Sequence, residues 1–64
     1  MTFEYILQTE DDTGRTVNIS FGIGTIGDAP IVGDYITWDY MCSRINERTI
    51  NYDTKIIQLV ADRV

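Results

Sequence analysis

Apolar and polar residues alternate along much of this chain with a period of two, the repeat of a half-buried β-strand. Over residues 2–9, Phe3, Tyr5 and Leu7 fall on one side and Glu4, Ile6 and Gln8 on the other. Over residues 15–21, Val17, Ile19 and Phe21 oppose Thr16, Asn18 and Ser20. Both stretches are rich in β-branched and aromatic residues, which suit a pleated surface. Glu10-Asp11-Asp12-Thr13-Gly14 lies between them and has the Asp and Gly residues of a tight turn. An N-terminal β-hairpin is the resulting expectation. Residues 22–30 hold three glycines and the only proline, which predicts an irregular connection.

The alternation resumes over residues 35–40, with Ile36, Trp38 and Tyr40 opposing Tyr35, Thr37 and Asp39. Residues 41–49 are ambiguous. Met41, Ser43 and Ile45 would line a strand, but Met41 and Ile45 are also four apart, and Asp39 could cap a helix over residues 40–48. Residues 51–54 suit a turn. Ile56, Ile57, Leu59 and Val60 then favour a final strand, with a helix left open. The pattern predicts a single mainly β domain spanning residues 1–64. Its expected form is a small antiparallel five-stranded sheet or SH3-like barrel, and a short helix near 40–48 would make it α+β instead. Phe3, Tyr5, Leu7, Val17, Ile19, Phe21, Ile36, Trp38, Ile57 and Leu59 would face inward, leaving Ile6, Tyr35, Ile56 and Val60 outward.

Pro30-Ile31-Val32-Gly33-Asp34-Tyr35-Ile36 resembles the P-x-V-G-D-x-[VI] entry into a strand found in several small SH3-like barrels. The aromatic strand that follows, then an Arg-bearing strand and a final apolar strand, is similar to small β proteins encoded by phages and other mobile elements. This resemblance covers about half the chain and brings no catalytic residues with it.

Size sharpens the energetic question. A 7.3 kDa chain exposes about 10,600 Å² unfolded and about 4,200 Å² folded. If about 60% of the buried area is apolar, burial contributes about 95 kcal/mol. Ordering the residues costs about the same. The single cysteine cannot form an internal disulfide, so association with a second copy or a partner would help this fold more than a larger one. One cysteine also suits a reducing compartment. The N-terminus shows no basic segment followed by an apolar run, and no apolar run exceeds three residues. A cytoplasmic protein without membrane contact is expected.

Candidate chemistry is sparse. There is no histidine, which removes the Ser-His-Asp and Cys-His arrangements and the commonest metal ligand. Cys42 reads as a small buried hydrophobe. Gly22-Ile23-Gly24-Thr25-Ile26-Gly27 spells G-x-G-x-x-G, but Asp28 and Pro30 follow where a phosphate-binding helix would have to start, so it reads as a glycine-rich bend. Glu10, Asp11 and Asp12 crowd one turn without the D-x-[DN]-x-[DN]-G spacing of a calcium loop. No catalytic residue, metal or cofactor is expected, and the chain reads as no enzyme.

Charge carries more information. The net charge is −5, and it is unevenly spread. Residues 1–39 hold seven acids against Arg15 alone, a net of −6, while residues 40–64 are at +1. Direct nucleic-acid binding is disfavoured by that sign. An acidic face can instead steer association with a basic protein surface, or it can simply be solvated. The expected partner-binding positions are Asp11, Asp12, Asp28, Asp34, Tyr35 and Asp39. Together with the resemblance, this predicts a non-catalytic acidic interaction module, a phage or mobile-element inhibitor of the anti-CRISPR-like or nucleic-acid-mimic type. The alternative is a small structural or assembly subunit forming a homodimer or larger oligomer through Ile6, Ile56 and Val60.

Overall fold

The alternating segments form five strands in a computed structural model that describes all of residues 1–64: β1 (Phe3–Glu10), β2 (Thr16–Gly24), β3 (Tyr35–Trp38), β4 (Met41–Asn51) and β5 (Ile56–Arg63). They make one sheet in the order β2-β1-β5-β4-β3, which curls into a half-barrel with no helix. The surface of 4202 Å² matches the area expected of a folded chain of this mass.

The sheet is mixed rather than wholly antiparallel. Three hairpins are antiparallel, but β1 and β5 pair in parallel, with Tyr5 beside Ile57 and Leu7 beside Leu59. The reason is the route of the chain. After the first hairpin, residues 25–34 cross from the β2 edge to the opposite edge, so β5 returns to the centre running the same way as β1. That crossover supplies Ala29 to the core, where it is 7% exposed, and packs Ile26 against it.

A strand, not a helix, occupies residues 41–51. Asp39 and Tyr40 both adopt positive φ, 51° and 63°, forming a two-residue turn of the kind that joins twisted strands. Asp39 is therefore a turn residue rather than a helix cap, and the third strand ends at Trp38. Tyr40, which the alternation places on the side of Ile36 and Trp38, is fully exposed at the turn.

Phe3, Leu7, Ile45, Ile57 and Leu59 are at most 1% exposed and form the centre of the concave face, with Tyr5 and Ala61 beside them. Ile36 and Trp38 pack against this cluster while half-buried. Thr9 and Ser43 extend the face with a buried hydroxyl pair 3.2 Å apart.

Phe21 departs from the expected pattern. The pairing of β1 with β2 shifts at Tyr5/Ile6, leaving Phe21 as the extra residue of a β-bulge. Beyond it the alternation is reversed: Gly22 and Gly24 lie opposite Tyr5 and Phe3, and Ile23 turns outward at 75% exposure. Phe21 is 38% exposed, its ring 5.8 Å from that of Tyr5. The stretch from Gly22 to Gly24 is thus strand, not loop. Gly24 is dictated by packing, because a Cβ there would overlap the Tyr5 hydroxyl, which donates to the Thr25 carbonyl.

A second shift falls at Ile45/Glu47 in β4. It leaves Asn46 unpaired and brings Arg48 opposite Leu59, on the core side, where one guanidinium nitrogen donates to Ile26 O at 2.9 Å. The Arg48 Nε is buried with no hydrogen-bond partner.

Candidate functional site

The acidic positions sit on the connections between strands, and most of them first serve the turn they belong to. In the β1–β2 turn, Asp11 Oδ1 accepts from Thr13 N at 2.9 Å, Thr13 Oγ1 at 2.6 Å and Arg15 N at 3.0 Å. This is an Asx-type turn, and Gly14 completes it with a φ of 84°. The Thr13 hydroxyl does most to hold the Asp11 carboxyl below its ordinary value of 3.8; desolvation opposes it, and the backbone amides of Arg15 and Thr13 and the Arg63 charge reinforce it. Asp12 is exposed at the tip.

Asp28 and Asp34 belong to the crossover. Asp28 Oδ2 accepts from Thr25 Oγ1 at 3.2 Å. Asp34 Oδ2 accepts from Ile31 N at 3.0 Å while Asp34 N donates to Ile31 O, closing a turn in which Gly33 has a φ of 99°. The Asp34 carbonyl in turn receives Ile45 N, tying the crossover to β4. Tyr35 follows on the outer face of β3, 64% exposed and opposite Arg44.

Strand direction decides which of these meet. The C-terminal ends of β1, β3 and β5 lie at one end of the sheet, so Asp11 and Asp12 share that end with Asp39. Arg63 ties it together, donating to Asp11 O at 2.8 Å and to Met41 Sδ. Asp28 and Asp34 are placed elsewhere, along the crossover, with Tyr35 beside them. The six positions therefore form two groups rather than one face.

The outer surface of the central strands holds the apolar trio. Ile6 lies beside Gln58, and Ile56 and Val60 flank Gln58 along β5, so all three are contiguous and half-buried. Asn18 accepts from Gln58 Nε2 at 3.3 Å and Ser20 Oγ donates to Glu4 at 2.7 Å, giving the patch a polar border.

Sequence reasoning missed the shallow groove of about 130 Å³ lined by Gln8, Thr9, Glu10, Thr16, Val60, Ala61 and Asp62. It brings Glu10 and Asp62 from opposite ends of the chain to one place because β1 and β5 run parallel, and no local pattern announces that pairing. No group of three or more His, Cys, Asp or Glu side chains is placed to share a metal ion. Cys42 is exposed, not buried: it stands on the outer face opposite Thr37, because Ser43 and Ile45 occupy the inward positions of β4. The glycine fingerprint lies half in β2, with its first two glycines packed on Tyr5.

Comparison of the chain with protein-family models, curated proteins and solved structures returned no match. Its functional reading rests on its own residues.

Proposed function

We propose that this is a non-catalytic, acidic protein-interaction module that engages a basic surface on a protein partner. The basic groove of a nucleic-acid-handling protein is a surface of that chemistry, and an inhibitor encoded by a phage or mobile element would use the module in this way. The observation that carries the reading is the concentration of negative charge in residues 1–39, where five of the seven acids (Asp11, Asp12, Asp28, Asp34 and Asp39) sit on strand connections and only Glu4 and Glu10 lie in the sheet. Carboxylates on connections can meet a partner without disturbing the hydrogen-bonded ladder, and complementary fields raise the association rate more than the final affinity.

Asp12 and Asp39 are the positions to probe. Asp39→Asn retains a residue that tolerates positive φ, and Asp12 is exposed. Affinity capture from a lysate at low and high salt, followed by mass spectrometry, should recover a basic protein whose retention falls with salt. The double variant Asp12→Asn/Asp39→Asn should reduce capture several-fold. Salt-insensitive capture, or capture unaffected by the double variant, would sink the proposal.

A second reading is an assembly subunit joined through Ile6, Ile56 and Val60, favoured by their contiguity across β1 and β5. Ile56→Asp would abolish self-association on that reading.

A further inference from the structure

The two edges of the sheet are treated differently. At one edge β3 is only four residues long and lies between Asp34 and Asp39, and the free half of β4 beside it carries Glu47; a short edge strand and nearby charge are the usual devices that keep an edge from pairing with another chain. At the opposite edge, β2 is nine residues long and has β1 as its only neighbour. It carries no charged residue and no proline, and the uncharged run continues from Thr16 through Gly27, the longest in the chain. At about 3.4 Å per residue this edge presents about 30 Å of unpaired backbone donors and acceptors.

From this contrast we infer that β2 pairs antiparallel with β2 of a second copy of the chain, joining two half-barrels edge to edge. Charge selects the occupant. Each copy is at −5, so two copies repel unless they meet where neither brings carboxylates; Thr16–Gly24 is the long edge strand that satisfies this, whereas the four residues of β3 are flanked directly by Asp34 and Asp39. The side-chain pattern selects the register. Val17 and Ile19 share one face and Phe21 lies beside Tyr5, while Thr16, Asn18 and Ser20 share the other. A two-fold axis near Asn18 or Ile19 places apolar against apolar and polar against polar, whereas a one-residue slip mixes the faces. The same pairing covers surface the monomer leaves wet. On the concave face β1 and β5 bury their apolar side chains to 7% exposure or less, but Val17 and Ile19 are only half-buried and Phe21 is 38% exposed. This contact does not depend on the acidic reading and is distinct from the Ile6/Ile56/Val60 patch.

Sedimentation equilibrium of the full chain, from low micromolar to millimolar, tests it. The expected result is a monomer–dimer equilibrium whose midpoint moves up at least about tenfold in Asn18→Lys, since a lysine on each edge puts like charges across the new ladder. Ile56→Asp should leave that midpoint unchanged. Circular dichroism of Asn18→Lys should match the parent, and Thr16→Lys, at another exposed edge position, serves if Asn18→Lys does not fold. Hydrogen exchange should show β2 amides gaining protection as concentration rises. A chain monomeric throughout, a dimer indifferent to both edge lysines, or one lost only with Ile56→Asp would overturn the inference.

Discussion

Replacing Gly24 with alanine tests the central packing argument directly. The new Cβ would lie well inside contact distance of the Tyr5 hydroxyl oxygen and 3.1 Å from Cζ. Tyr5 is 7% exposed, wedged in the core, and its hydroxyl donates to Thr25 O, so the ring cannot simply swing aside. Overpacking of this kind costs about 1–3 kcal/mol. Losing the hydroxyl's hydrogen bond adds about 1 kcal/mol. Removing a strand glycine returns about 0.5–1 kcal/mol through the unfolded chain. The net expectation is a loss of about 2 kcal/mol. Gly22→Ala is the internal control, because its Cβ would meet Tyr5 Cδ2 at an ordinary 3.6 Å. It should be neutral or stabilising by less than about 1 kcal/mol. Urea denaturation followed by the fluorescence of Trp38, the only tryptophan, reads both. Tyr5→Phe removes the overlapping oxygen, so Gly24→Ala in that background should cost about 1 kcal/mol less than in the parent. Additivity of the two substitutions, or a Gly24→Ala no worse than Gly22→Ala, would refute the reasoning.

Other expectations follow from the turns and the buried polar pair. Because the folded-state pKa of Asp11 is depressed below 3.8, its contribution to stability is present above that value and is lost as pH falls through the lower, folded pKa. Asp11→Asn should therefore flatten the acid limb of a denaturation-midpoint profile below about pH 4, and an unchanged limb would count against the assignment. Tyr40→Gly should stabilise the β3–β4 turn by about 1 kcal/mol in thermal melts, since Tyr40 holds a φ of 63° that glycine adopts freely. Thr9→Val and Ser43→Ala should each cost about 1–3 kcal/mol by orphaning the other hydroxyl. Their combination should cost clearly less than the two added together in a double-mutant cycle.

Much of the local structure was legible in the chain and little of its arrangement was. The period-two runs gave β1 to within a residue and β2 up to Phe21, because burial on one face is recorded at every second position, while β-branched residues favoured β5 with a helix left open. They could not reveal that β5 lies between β1 and β4, since neighbour order depends on where residues 25–34 go. Phe21 shows the limit sharply: one unpaired residue reverses the face of everything after it, and the sequence Phe-Gly-Ile-Gly looks like a loop until Tyr5 is placed above it. Met41 and Ile45 at helical spacing fit a strand equally well, and two consecutive positive φ values at Asp39 and Tyr40 decide the matter. Among the candidate site positions, Asp11 and Asp12 were read on a turn and Asp28 on an irregular connection, while Asp39 was read within a strand or as a helix cap. Their separation into an end group and a crossover group depends on strand direction, which no charge count contains.

The parallel pair at the centre bears on how the chain reaches its native state. β5 follows the other four strands in the chain, yet it is the element that joins β1 to β4. Before it arrives, β1–β2 and β3–β4 are two separate hairpins, each with an open hydrophobic face, and an isolated two-stranded hairpin is marginal in water. Pairing Glu4 with Ile56 must close a loop spanning most of the molecule, so contacts that reward folding come late and together. Loss of residues 56–63, whether by an early stop or by a protease, would accordingly not yield a smaller version of the domain. It would leave a single chain carrying two unjoined hairpins with exposed apolar faces, a substrate for clearance and not a shortened domain.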